Sequence, residues 1–148
     1  MSQPSLRKYS DVLLQSQVLK PLSVLITVSY ALFLLTATHM PMERLPQTET
    51  PDKLLHFLAY GVLGFCAGVT LLIHGRESRL AMLLVWLGLL GFGAIDEITQ
   101  AYVGRFPEFW DWFADLVGLT CGFLCARAAS YLLSRFWQPL LQVRSRTS

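Results

Sequence analysis

The sequence is poor in charge and in cysteine. Only 15% of its 148 residues are charged and 53% are hydrophobic, whereas about a quarter of a typical soluble domain is charged. Three cysteines, at positions 66, 121 and 125, are odd in number and lack metal-type spacing with histidine, so we interpret them as small packing residues. Repeats, low-complexity segments and the clustered basic surface of a nucleic-acid-binding protein are also missing. The length allows a single domain.

The hydrophobic residues are concentrated in long blocks. A helix needs about 20 apolar residues to cross a bilayer core of roughly 30 Å. Four blocks meet this length, at residues 21–39, 54–74, 80–103 and 112–133. Residues 22–37 carry no charge on any face, which argues against a soluble bundle, whose helices keep one polar face. We therefore predict an all-α, integral membrane four-helix bundle with terminal segments 1–20 and 134–148, and a first helix that is not cleaved.

The basic residues are distributed unevenly around the predicted spans. If the N-terminus is cytoplasmic, nine of the twelve lysines and arginines lie on the inner side, and only Arg44, Lys53 and Arg105 lie outside. The positive-inside rule therefore predicts that both termini are cytoplasmic.

Polar residues follow one face of the second span. Asp52, His56, Tyr60, Gly64 and Gly68 recur at every fourth position, which places them in a single stripe along a helix. The polar end of this stripe lies at the predicted outer surface. The glycine end allows a neighbouring helix to approach closely.

The third and fourth spans bring further polar groups to the same end. Asp96, Glu97 and Gln100 lie near the end of the third span, and Asp111 and Asp115 lie at the start of the fourth. A charged residue near the middle of a membrane helix costs roughly 2.5 to 3.5 kcal/mol, so such residues indicate function by default. We predict a polar pocket inside the bundle that opens toward the cell exterior.

Several of these residues also have simpler structural interpretations. Asp52 follows Thr50 and Pro51, which is the pattern of a capped helix start, and Asp111 fits a second helix start. His56 is compatible with a hydrogen bond between helices that serves packing alone. The sequence leaves these alternatives open.

Three segments together resemble a known family. They are DKLLHFLAYGVLG at 52–64, DEITQAYVGR at 96–105 and DWFADLVGLTCG at 111–122. In order and spacing they are similar to the VanZ-like family of bacterial membrane proteins. The family's polar positions fall on nine residues, which are Asp52, Lys53, His56, Asp96, Glu97, Gln100, Arg105, Asp111 and Asp115. Many relatives carry asparagine where this chain has Asp115, and the first span has no motif.

The resemblance implies a role in the cell envelope, at a bacterial cytoplasmic (inner) membrane. The founding member of the family is linked to low-level resistance to the glycopeptide antibiotic teicoplanin. Because that link does not define a reaction, the resemblance implies a location more than a chemistry.

Binding of a lipid or lipid-linked envelope precursor is the first functional hypothesis. Arg105 and Lys53 would hold a phosphate or carboxylate of the headgroup. The polar groups expected to orient the rest of the headgroup are Asp52, Tyr60, Glu97, Gln100 and Asp115.

An enzyme acting on such a lipid, a hydrolase or a transferase, is the second hypothesis. His56 would be the general base or nucleophile, oriented by Asp96 or Asp111. A divalent cation such as Mg²⁺ is a possible cofactor, because hard cations prefer oxygen ligands. The four candidate ligands are Asp96, Glu97, Asp111 and Asp115. Transport and a structural assembly role rank lower, since the acids of the last three spans stop at one side.

Overall fold

The computed structural model describes the backbone of residues 6–40, 52–76 and 78–146, and the side chains of residues 17–40, 52–76 and 78–135. Within these ranges the chain is helical and contains no strand. The helices are α1 (Leu6–Thr38), α2 (Asp52–Ile73), α3 (Arg79–Thr99) and α4 (Phe109–Arg146), and a 3₁₀ helix, Gln100–Val103, follows α3. The all-α prediction is confirmed.

Four helical segments are long and apolar enough to cross a membrane. They are Gln17–Thr38, Asp52–Ile73, Arg79–Val103 and Phe109–Arg135. These segments agree with the spans predicted from sequence to within a few residues. Large apolar side chains face outward from them, including Leu25, Leu84 and Leu124, each about 60% exposed, as expected for surfaces in contact with lipid tails.

Two helices extend further than the sequence analysis predicted. Helix α1 begins at Leu6 and runs through Pro21, and α4 continues to Arg146. Leucine, glutamine and arginine occur in both extensions, and all three are good helix formers. The cap expected at Thr50 and the side chains of the basic termini lie outside the described residues.

Helices α2 and α4 form the centre of the bundle, because glycines let their backbones touch. Gly118 lies against the carbonyl of Phe57, and Gly122 lies against the carbonyl of Gly61. On α2, Gly64 lies against the carbonyl of Leu119, and both Leu63 and Leu119 are completely buried. The stripe of small residues predicted for α2 is therefore a helix-packing face.

The outer helices are attached by hydrogen bonds between spans. On α1, Thr27 Oγ1 lies 2.9 Å from Thr70 Oγ1, and Tyr30 donates from its hydroxyl to the carbonyl of Ala59 at 3.1 Å. On α3, Trp86 donates from Nε1 to Thr120 Oγ1 at 3.2 Å. Such bonds contribute to helix association where water does not compete.

The chain reverses direction between α3 and α4 in a short segment. Gly104 has a φ of 79°, in the left-handed region where glycine has no steric penalty. Here the C-terminal ends of α1 and α3 meet the N-terminal ends of α2 and α4. We call this region the polar end of the bundle, because the buried carboxyl groups of the described chain are located there.

Candidate functional site

A buried histidine–carboxylate pair joins α2 to α4 at the polar end. His56 is 6% exposed and Asp115 is 1% exposed. Nδ1 of the histidine lies 2.9 Å from Oδ1 of the aspartate. The other oxygen, Asp115 Oδ2, is buried and has no hydrogen-bond partner among the described residues. The pair fixes the ring of His56 and leaves its Nε2 outside the contact.

Asp96 connects α3 to the first two helices. Thr38 on α1 donates to Oδ1 of this carboxylate at 2.8 Å, and the Tyr60 hydroxyl on α2 donates to Oδ2 at 3.4 Å. Nδ1 of His39 lies 3.4 Å from Oδ1. Both oxygens therefore have partners, and the carboxylate itself is 1% exposed. This residue holds three helices together.

Glu97 points away from Asp96 and supports the connection into α4. Its Oε1 accepts the backbone N–H of Glu108 at 2.6 Å, and its Oε2 accepts from Gln100 Nε2 at 3.3 Å. The N–H groups at a helix start have no partner within the helix, so a buried acceptor there stabilises the turn. Consecutive helix residues point about 100° apart, which is why the two neighbouring acids have different partners.

Among the described residues, Lys53 makes the shortest ion pair at the polar end. Its Nζ lies 2.7 Å from Glu108 Oε2 and 3.1 Å from Asp111 Oδ1. The ammonium of Lys53 holds the pKa of the Glu108 carboxyl below its ordinary value. This ion pair therefore contributes stability above the carboxyl's unfolded-state pKa, and the contribution is lost as the pH falls through the lowered value. Because both side chains are about half exposed, solvent screens the pair and it adds little.

Arg105 joins the loop to the ends of α1 and α2. It donates from Nη1 to the carbonyl of Thr38 at 3.1 Å, and its Nη2 lies 3.5 Å from Asp52 Oδ2. The arginine side chain is 12% exposed. A guanidinium has five N–H donors, and only these two contacts are made within the described part of the chain.

A pocket of about 290 Å³ lies between α1 and α2 and reaches Arg105. We call it the α1–α2 pocket. Polar groups line its end nearest the loop, and apolar and aromatic side chains line its walls. Its lining residues are Tyr30, Phe33, Leu34, Ala37, Thr38, Asp52, Leu55, His56, Ala59, Tyr60 and Arg105.

Three side chains are grouped closely enough to hold a metal ion. Ligand atoms of Asp52, His56 and Asp111 all lie within 4.8 Å of one another. The sequence analysis named Asp96, Glu97, Asp111 and Asp115 as candidate ligands, and of these only Asp111 belongs to the group. Asp96 and Glu97 use their oxygens on other partners, whereas Asp115 is hydrogen-bonded to Nδ1 of the histidine ring.

The structure places all the residues named from sequence at the polar end, but it pairs them differently. The sequence analysis expected Asp96 or Asp111 to orient His56, whereas Nδ1 of His56 is hydrogen-bonded to Oδ1 of Asp115. Sequence reasoning also missed Thr38 and His39, because α1 carries no motif. The available signal was their position, since both lie at the C-terminal end of the first apolar block.

The chain was also compared with known proteins. No family model, curated protein or solved structure matches it. The VanZ-like resemblance therefore depends on the three sequence segments and remains a prediction.

Proposed function

We propose that this chain is a VanZ-like multi-pass protein of a bacterial cytoplasmic membrane that binds a lipid or lipid-linked headgroup. The observation that supports the proposal is the α1–α2 pocket, which combines a polar end with apolar walls. A ligand with a polar head and an acyl tail has the same division. With both termini in the cytoplasm, the polar end would face the outer leaflet.

The polar end offers the groups that recognise a headgroup. Arg105 supplies guanidinium N–H donors to a phosphate, for which its planar fork is well suited. Asp52, which is 54% exposed in its side chain, is placed to accept hydrogen bonds from hydroxyl or amine groups of the same ligand. The carboxylate also keeps the arginine oriented before a ligand binds.

The apolar walls fit an acyl chain. Phe33 and Leu55 line the pocket and are 61% and 43% exposed, so a chain in this position remains in contact with the bilayer. The headgroup would then be held by protein while the tail stays among lipid tails. Burial of each additional CH₂ contributes about 0.8 kcal/mol only where it leaves water, so specificity must come mainly from the polar end.

Photocrosslinking tests this proposal. The purified protein is reconstituted with phosphatidylglycerol that carries a photoreactive group in its acyl chain, and the crosslinked peptides are identified by mass spectrometry. We expect crosslinks at the α1–α2 pocket. Ala37→Phe should reduce these crosslinks several-fold because the larger side chain fills part of the pocket. Arg105→Gln should reduce them because it removes the guanidinium that binds the phosphate.

Matched controls separate pocket occupancy from general effects. Ala128→Phe makes the same change at an exposed position of α4, and Arg79→Gln removes a charge at the start of α3. Both controls should crosslink like the unmodified protein. Equal crosslinking of Ala37→Phe and Ala128→Phe would contradict the proposal.

The His56–Asp115 pair favours a second candidate, a hydrolase or transferase acting on a lipid-linked phosphate. A carboxylate bound to one ring nitrogen orients the other to accept a proton, and His56 lines the α1–α2 pocket. If the protein turns over a lipid-linked phosphate, and His56→Ala loses that turnover while it retains lipid crosslinking, this candidate is supported. Unchanged turnover would exclude it.

A further inference from the structure

We propose that Asp52, His56 and Asp111 form a binding site for a divalent cation of the zinc class, with Asp115 as the residue that positions the histidine. The site lies where the first turns of α2 and α4 meet. It differs from the all-carboxylate set expected from sequence, because it contains an imidazole and draws ligands from two helices.

The spacing of the three ligands fits one ion. Their ligand atoms lie within 4.8 Å of one another, whereas donors on a zinc ion at about 2.0 to 2.2 Å are separated by roughly 3 to 4 Å. Closing the group requires a movement of ~1 Å. Asp52 can supply it, since its side chain is 54% exposed and its contact with Arg105 is long, at 3.5 Å.

The histidine has the environment of a metal ligand. A metal-bound histidine typically donates its second ring N–H to a carboxylate, which fixes the ring and raises its basicity. Nδ1 of His56 makes this contact with Asp115 at 2.9 Å. Its Nε2 has no hydrogen-bond partner among the described side chains, although the residue is 94% buried, as its exposure of 6% implies.

The local charge favours a cation. In the described part of the polar end, six carboxyl groups accompany two permanently charged side chains, Lys53 and Arg105. Asp115 Oδ2 is buried without a hydrogen-bond partner among the described residues, and buried Asp111 Oδ1 has the Lys53 ammonium at 3.1 Å as its one described ion-pair partner. Buried carboxylates without full partners are costly unless paired or bound to metal. A divalent ion between Asp52 and Asp111 would supply the missing charge.

Lys53 is the competing cation. Its Nζ approaches Asp111 Oδ1 at 3.1 Å without the alignment of a hydrogen bond, and it makes a shorter contact with Glu108 at 2.7 Å. A bound ion would displace the lysine toward Glu108, which is exposed and can retain it. If the lysine alone neutralises Asp111, the group binds no metal, and the experiment below distinguishes the two cases.

The ligand set indicates the class of ion. Imidazole with two carboxylates suits zinc and related transition metals, whereas magnesium and calcium prefer oxygen ligands and water. Three protein ligands leave at least one coordination position open. Asp52 and His56 also line the α1–α2 pocket, so the open position can accept a headgroup phosphate next to Arg105. This last role depends on the proposed function, but the ion site itself does not.

Zinc titration tests the site directly. Untagged protein in detergent is titrated with Zn²⁺ by isothermal calorimetry. We expect one Zn²⁺ per chain, no binding at this site in His56→Ala, and none in Asp111→Asn. Asp115→Asn should keep the stoichiometry and weaken the affinity for Zn²⁺ 10- to 100-fold. Loss of the carboxylate that hydrogen-bonds a metal-bound histidine typically has an effect of this size. An excess of Mg²⁺ should not compete.

Two further variants keep the test decisive if a buried variant fails to fold. Asp52→Asn alters an exposed side chain, so it should fold and bind Zn²⁺ more weakly. His74→Ala removes a histidine near the opposite end of α2, where it lies 3.2 Å from the Lys20 carbonyl, and should bind like the unmodified protein. Absence of Zn²⁺ binding in the unmodified protein, or binding in Asp52→Asn and His56→Ala equal to that of the unmodified protein, overturns the proposal. Zinc binding with unchanged crosslinking in Ala37→Phe would overturn only the lipid proposal.

Discussion

The buried acids at the polar end differ in how completely they are hydrogen-bonded. Asp96 receives donors on both oxygens, from Thr38 and Tyr60. Asp115 has a partner on Oδ1 alone. A buried polar group with all its partners stabilises one arrangement of the core, whereas an incompletely paired one is a candidate for binding. By this criterion Asp96 has a structural role, and Asp115 belongs to the site.

A threonine pair on α1 tests the structural role of Asp96. Thr38→Val removes the donor to Asp96 Oδ1 while preserving the shape of the side chain. We expect a loss of about 0.5 to 2 kcal/mol in unfolding free energy, the range for hydrogen bonds between membrane helices. Unfolding in mixed micelles with increasing SDS, followed by tryptophan fluorescence, measures it.

Thr36→Val is the matched control for this substitution. Thr36 is exposed, and its hydroxyl donates only to the carbonyl of Leu32 in its own helix. The control should leave the unfolding free energy within about 0.5 kcal/mol of the original value, as for most surface substitutions. Equal losses of unfolding free energy in Thr38→Val and Thr36→Val would show that the hydrogen bond from Thr38 to Asp96 does not stabilise the protein.

At the scale of helices, the α2–α4 contact determines where the site can form. His56 meets Asp115 because Gly118 and Gly122, one and two turns further along α4, allow the backbones of α2 and α4 to approach closely. A larger residue at either position would separate the helices and lengthen the histidine–carboxylate contact. The packing stripe and the site are therefore parts of one face.

Alanine substitution of these glycines should destabilise the protein. A methyl group on Gly118 would overlap the carbonyl of Phe57, and one on Gly122 would overlap the carbonyl of Gly61. Because backbone cannot move aside cheaply, we expect a loss of about 1 to 3 kcal/mol for each substitution. The same SDS titration measures this loss, and Zn²⁺ affinity should fall with it.

Gly88 and Gly91 on α3 provide the control. A methyl group at either position meets no neighbouring atom within 4 Å. Alanine is a better helix former than glycine by about 1 kcal/mol, so these substitutions should be neutral or stabilising. Destabilisation by Gly88→Ala comparable to that by Gly118→Ala would argue against the close α2–α4 contact.

For the molecule as a whole, the positive-inside rule predicts that the polar end faces the cell exterior. The test uses a background in which Cys66, Cys121 and Cys125 are replaced by alanine. A cysteine at Phe106, which is 89% exposed, should react with a membrane-impermeant maleimide in intact cells. A cysteine at Ser134, exposed near the other end of the α4 span, should react only after permeabilisation. The reverse pattern would place the pocket on the cytoplasmic side.

The spans could be predicted from sequence because the signal is one-dimensional. Residues 54–74 are apolar for long enough to cross a bilayer, and the structure has α2 at 52–73. The i+4 stripe of His56, Tyr60 and Gly64 is buried, as expected, because helical periodicity fixes which residues share a face. The helical extensions of α1 and α4 were missed, because hydropathy identifies membrane spans and not helix ends.

The amino-acid sequence by itself determined that four helices can span a membrane and that acids, a histidine and an arginine gather at one end. Helix rise and the cost of burying charge are sufficient for both conclusions. Only the tertiary structure decided the pairings: His56 with Asp115, Asp96 with Thr38, and Asp52 near Asp111. These contacts join residues distant in the chain, and they depend on the rotation of each helix about its axis, which close packing at the glycines fixes.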